Sequence, residues 1–103
     1  MPLQGVNLET ALQSLAEISP LERQAILERL AGTLVRNAQW ARNEGDDALE
    51  LVMISVGQAI LSIVQDLAHC DVALAQDVAS RALTLITTFH CRHPHYPTGP
   101  AVH

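Results

Sequence analysis

Aromatic residues and lysine are scarce in this chain of 103 residues. It has one Phe, one Trp and one Tyr, and all six of its basic residues are arginine. A core must therefore be assembled from Leu, Ile, Val and Ala, which suits helices packed on helices. Hydrophobic residues make up 49% of the chain, enough apolar material to exclude wholesale disorder. Arginine without lysine, together with abundant alanine, indicates a GC-rich bacterial genome.

Positive charge is also in deficit, because the chain carries a net charge of −5. Proteins that bind nucleic acid need a basic face against the phosphates, so we expect no nucleic-acid partner. Residues 1–17 lack the basic start and apolar run of a secretory signal, and we therefore expect a cytoplasmic protein. In that compartment Cys70 and Cys91 should remain reduced thiols.

Apolar and polar residues do not alternate with the period of two that is typical of a strand. Apolar residues recur instead at the three- and four-residue spacing of a helix. The pattern predicts a short first helix over residues 8–18 and a long second helix over residues 20–43. Ser19 should begin the second helix through a capping box with Glu22, and Gly45 should end it.

Two further long helices are predicted, a third from Asp46 or Asp47 to about residue 69 and a fourth from Asp71 to about residue 90. The expected fold is all-α: a small antiparallel helical bundle of one short and three long helices. Prolines and a glycine interrupt the last twelve positions. We therefore expect a single helical domain over residues 1–91 and a flexible tail, rich in Pro and His, over residues 92–103.

The predicted third helix, here called the apolar helix, carries no charge from Leu51 to Gln65. Its polar residues recur at spacings of three and four and form one narrow stripe, so nearly every other direction is apolar. The uncharged run is shorter than the ~20 residues of a membrane span and has Gln58 at its middle, so no membrane partner is expected.

The other helices of one chain leave part of the apolar helix uncovered, and a homodimer is the simplest way to cover it. Gly57 supports this expectation, since a glycine inside a helix costs about 1 kcal/mol and is often retained for close helix packing. A lone Trp near a helix end, such as Trp40, is more often the half-buried edge of a core, but tryptophan is also the residue type most enriched at binding hot spots, so it is included in the predicted interface. Its full set is Leu51, Ile54, Gly57, Ile60, Leu61, Val64 and Trp40.

Catalytic chemistry has no visible basis in the sequence. The acidic residues lie at helix starts and on exposed faces, and no nucleophile motif, phosphate loop or zinc helix is present. We therefore expect a protein that is not an enzyme, with no catalytic residues and no cofactor.

Metal-ligand residue types occur at His69 and Cys70 and in the cluster His90, Cys91, His93 and His95. A fourth helix between the two groups would hold them ~30 Å apart at 1.5 Å per residue, so they are not expected to share a site or a disulfide. The spacing of the second group matches no standard zinc module. No metal site is therefore assigned, although this cluster defines the alternative function below.

Two functions follow from these observations. The first is a small regulator that binds another protein and masks or inhibits it, as antiactivators and inhibitors do. The alternative is a small metal- or ligand-binding helical bundle that uses the His and Cys residues.

Overall fold

The computed structural model describes residues 15–97 of the chain, and within this part every regular element is helical. A short 3-10 turn, Leu15–Glu17, precedes three long α-helices: α1 (Pro20–Asn43), α2 (Asp47–Cys70) and α3 (Val72–Arg92). The all-α fold class is confirmed. The predicted first helix lies largely outside the described residues, and the apolar helix is α2.

Local sequence signals set the helix ends. The Ser19 Oγ accepts from the Glu22 amide at 3.1 Å and the Glu22 carboxylate accepts from the Ser19 amide at 3.2 Å, so the predicted capping box is present. Gly45 adopts φ +75 in the turn after α1, a conformation that costs glycine little. At the start of α3, the Asp71 carboxylate accepts from the Leu74 amide at 3.0 Å.

The pairing of α1 with α2 is the most extensive contact of the fold, and α3 packs less extensively against both. The first turn of α1 lies beside the last turn of α2, where Gln24 and His69 share a hydrogen bond of 3.1 Å. Alanines occupy much of the core, which lets the helices approach closely. Its buried hydrophobic members include Leu27, Ala31, Leu34, Ala38, Met53, Ile60, Leu67, Ala75, Ala79, Ala82 and Phe89.

Arg23 is a buried cation that joins three elements. Its guanidinium donates to the carbonyls of Ala68 and Leu15, each at 2.8 Å, and to that of Ile18 at 3.0 Å. The Ala68 carbonyl lies in the last turn of α2, where carbonyl groups lack partners within the helix. Arg23 therefore ties the start of α1 to the end of α2 and holds the 3-10 turn against both.

Asn37 is a second polar residue in the core, with a relative exposure of 1%. Among the described residues, neither its amide nitrogen nor its amide oxygen has a hydrogen-bond partner. A buried polar group left in this way costs about 1–3 kcal/mol. Asn37 is therefore an unfavourable residue within an otherwise apolar core.

Candidate functional site

The solvent side of α2 combines a polar stripe with large exposed apolar residues. The predicted stripe does face solvent, since its members Ser55, Gln58, Ser62, Gln65, Asp66 and His69 are all exposed. Leu51 nevertheless retains 65% of its surface, Ile63 47%, and Val52 and Leu61 45% each. Apolar side chains thus flank the stripe on both sides.

One of these flanks lies on the side of α1 and is called the α1-side flank: Ile54 and Leu61. Ile54 and Leu61 stand three residues before and four after Gly57, which contacts α1 directly. At these spacings they share that side of the helix. Leu61 is exposed and Ile54 is half-buried, so this flank is an apolar ridge open to solvent. Exposed Leu51 lies instead on the side of the polar stripe, four residues before Ser55 and seven before Gln58.

The other flank faces a groove between α2 and α3 of about 410 Å³, called the α2–α3 groove. Val52 and Val56 line it from α2, and exposed Ile63 continues their line at helical spacing. The opposite wall combines apolar, hydroxyl and cationic side chains of α3: Ser80, Arg81, Thr84 and Leu85. The groove is therefore apolar on its α2 side and mixed polar and apolar along α3.

The predicted interface set is divided by the structure. Gly57, Ile60 and Val64 lie in the core of the chain, which corrects their assignment to an interface between chains. Leu51, Ile54 and Leu61 remain at least partly exposed, and Trp40 is half-buried. Sequence periodicity located the polar stripe but could not show which apolar neighbours α1 and α3 would cover.

Gly57 explains this correction. A Cβ atom there would lie 3.1 Å from both the Ala31 carbonyl oxygen and Val35 Cγ2, and 3.3 Å from Leu34 Cβ. The glycine does permit close approach of another helix, as expected, but that helix is α1 of the same chain.

A second cluster lies where the end of α3 meets the turn between α1 and α2. Arg92 donates to both carboxylate oxygens of Asp46 at 3.1 Å, and His93 contacts one of them at 3.0 Å. The hydrogen bond from His93, ahead of Arg92, holds the pKa of Asp46 below its usual value. The turn is thereby joined to the residues that follow α3.

The residues after α3 are held against the bundle. Tyr96 stacks on Trp40 with ring centroids 4.8 Å apart and an interplanar angle of 16°. Its hydroxyl donates to Glu44 at 2.7 Å, and His95 contacts the same carboxylate at 3.4 Å. The bond from Tyr96 is the main cause that lowers the pKa of Glu44, and the same bond raises the pKa of Tyr96.

This arrangement differs from the flexible tail expected from residue 92 onward. Arg92 is still helical, and residues 93–97, here called the strap, are irregular but docked. Prolines at both 94 and 97 prevent continuation of the helix, as predicted. The sequence signal that was missed is Tyr96, a lone tyrosine between these prolines, which finds an aromatic partner and a carboxylate. Residues 98–103 lie outside the described part.

The His and Cys residues do not form a joint ligand set within residues 15–97, where no three His, Cys, Asp or Glu side chains are placed to hold a metal ion. His93 and His95 instead contact carboxylates. Cys70 and Cys91 are exposed free thiols.

By length and composition alone, α2 is the one helix among the described residues apolar enough to cross a membrane. Core helices of soluble proteins pass the same test, but those are mostly buried, whereas the apolar window of α2 is 28% buried. A large part of this helix is thus left without cover from the rest of the described chain.

Comparison with protein-family models, with curated proteins and with solved structures gives no match.

Proposed function

We propose that this chain is a non-enzymatic, cytoplasmic bacterial regulator that binds another protein and masks it, as an antiactivator or inhibitor does. Its one short and three long helices form an antiparallel bundle. Two copies associate through the α1-side flank, and the α2–α3 groove receives the partner protein.

The observation that carries this proposal is the 28% burial of the apolar window of α2. Fully burying a Leu, Ile or Val side chain contributes about 1.5–3 kcal/mol. Four large side chains of α2 are each about half exposed, so covering them is worth several kcal/mol. A surface of this kind favours association with another apolar surface.

Charge and packing favour a protein as the occupant. The net charge of −5 opposes binding to nucleic acid and to anionic lipid surfaces. Insertion of α2 into a membrane would also break the Arg23 hydrogen bond to the Ala68 carbonyl and strip α1 from the buried face of α2. Both costs are avoided when a protein covers the exposed side.

The two exposed sides of α2 suit different roles. The α1-side flank is an exposed ridge on one helix, and such a ridge can meet its own copy about a two-fold axis. The α2–α3 groove has an apolar wall and a wall with hydroxyl groups and Arg81. An amphipathic helix, with its apolar face toward Val52 and Val56, fits this combination.

Photo-crosslinking inside cells tests the proposal. A photoreactive side chain replaces Val52 in the groove or, as a matched control, Ser55 on the polar stripe of the same helix. We expect a discrete adduct with a second protein from position 52 and none from position 55. Adducts with membrane lipids, or equal labelling from both positions, would contradict the proposal.

A further inference from the structure

The strap is bound to the bundle as a short peptide ligand would be. Its side-chain contacts include the Tyr96 ring on Trp40, the Tyr96 hydroxyl and His95 on Glu44, and His93 on Asp46. The rings of Tyr96 and His93 also lie against Phe89, with centroids 5.5 Å and 5.1 Å away. The strap therefore presents one aromatic ring and two imidazoles, which meet two aromatic rings and two carboxylates of the bundle.

The surface beneath the strap belongs to the helices and their turn. Trp40 forms its floor, with Phe89 behind at a ring-centroid distance of 6.0 Å. Arg36 lies over the Trp40 ring, 5.7 Å from its centroid. Glu44 and Asp46, in the turn between α1 and α2, form an acidic edge. We call these five residues the Trp40 platform.

Both carboxylates of the platform are suited to cations. Hydrogen bonds from Tyr96 and His95 lower the pKa of Glu44, and hydrogen bonds from His93 and Arg92 lower that of Asp46. The exposed His95–Glu44 pair contributes little stability, whereas the side chains of the His93–Asp46 pair are only 14% and 15% exposed. Ring stacking adds about 0.5–1.5 kcal/mol beyond the buried area, so these contacts are strong enough to select a ligand and weak enough to exchange.

We propose that the Trp40 platform is a recognition site for a short protein segment with an aromatic side chain beside cationic ones, and that the strap occupies this site in the free chain. The strap itself shows which chemistry fits the platform. A partner segment of the same kind competes with the strap, so the strap acts as an internal competitor. This site is separate from both flanks of α2, and the inference does not depend on what covers them.

Charged and titratable groups of α1, α3 and the turn between α1 and α2 lie near the strap. Arg36 comes from α1, Glu44 and Asp46 from the turn, and Arg92 from α3. His90, also from α3, packs edge-on against Phe89, and burial lowers its pKa, which favours the neutral imidazole. Glu44 and Asp46 thus hold the strap through their carboxylates, and protonation of these two carboxylates should release it.

Trp40 is the only tryptophan of the chain, so its fluorescence reports directly on the platform. The test uses the full chain carrying Tyr96→Ala, titrated with a capped peptide of sequence HPHYP, the sequence of residues 93–97. We expect saturable quenching of Trp40 in this variant. Wild type should bind the peptide about tenfold more weakly or worse, because its own strap must first leave.

Two control peptides distinguish the contribution of the aromatic ring to binding from that of the positive charge. HPHAP lacks the aromatic ring and should not bind. KPKYP carries permanent positive charge, whereas imidazoles in a free peptide lose their charge above about pH 6.5. Raising the pH should therefore weaken the binding of HPHYP and leave the binding of KPKYP unchanged.

Circular dichroism verifies that the Tyr96→Ala variant is folded. If it is not, Tyr96→Leu, whose apolar side chain still covers Trp40, is used in its place. Equal affinity of the peptide for wild type and the folded variant would overturn the proposal. So would equal binding of HPHYP and HPHAP, or no binding to a folded variant.

Discussion

Gly57→Ala and Gly32→Ala are the same chemical change at two helix positions, and the packing of α1 on α2 predicts opposite results. Alanine is favoured over glycine inside a helix by about 1 kcal/mol at either position. Gly32 lies on the exposed face of α1, and a Cβ there would meet no atom within 4 Å. Gly32→Ala should therefore stabilise the protein by about 1 kcal/mol.

At Gly57 the added methyl group meets Val35 and the Ala31 carbonyl oxygen at 3.1 Å. The carbonyl belongs to the backbone of α1, so relief requires the helices to separate. Overpacking of this kind costs about 1–3 kcal/mol. After the gain in helix propensity, Gly57→Ala should destabilise the protein by about 1 kcal/mol, some 2 kcal/mol below Gly32→Ala.

Thermal unfolding at one fixed protein concentration measures this difference, and fixed concentration matters because association also shifts Tm. For a domain of this size 1 kcal/mol corresponds to about 4–8 °C. Gly32→Ala should raise Tm and Gly57→Ala should lower it. A rise of similar size in both variants would refute the close contact between α1 and α2 at Gly57.

Three further predictions concern buried or paired polar groups. Arg23→Met removes three hydrogen bonds to carbonyls. Each hydrogen bond from a charged group contributes about 1.5–3 kcal/mol, and water can partly replace the lost donor, so we expect the free energy of unfolding in urea to fall by about 3–5 kcal/mol. A loss below about 1 kcal/mol would contradict the role assigned to Arg23. Asn37→Leu removes a buried amide that has no hydrogen-bond partner among the described residues, so the free energy of unfolding in urea should rise by about 1 kcal/mol or more. A fall in the free energy of unfolding would show that the amide is paired. Asp46→Asn retains the size of the side chain but not its charge. Because the folded-state pKa of Asp46 is lowered from 3.8, the stabilisation by its carboxylate is present above pH 3.8 and is lost as pH falls through the folded pKa. The stability gap between wild type and Asp46→Asn, measured by urea unfolding across this range, should therefore close in acid, and a constant gap would argue against the pairing with His93 and Arg92.

Local chemistry made the helix limits predictable from the sequence. Ser19 with Glu22, Gly45 and Asp71 each determine a helix end through contacts with residues only a few positions away. The polar stripe of α2 was predictable for a related reason, since helical spacing alone places its members on one side.

Long-range packing was beyond the same reasoning. The periodicity of α2 could not distinguish a residue covered by α1, such as Gly57, from one left exposed, such as Leu61. Docking of the strap was also not predictable, because it depends on Tyr96 meeting Trp40, 56 positions earlier in the chain, and on the turn that brings Glu44 beside them. Burial of Arg23 was also not predictable, because one of its partners is the helix-end carbonyl of Ala68, 45 positions later in the chain.

Light scattering after size-exclusion chromatography, over a micromolar dilution series, tests most directly whether protein covers the exposed sides of α2. We expect wild type at twice the chain mass of 11.2 kDa throughout. Leu61→Asp on the α1-side flank should give a folded monomer, and the matched Val52→Asp in the α2–α3 groove should remain dimeric. A wild-type chain that stays monomeric and well folded at every concentration would contradict self-association through α2.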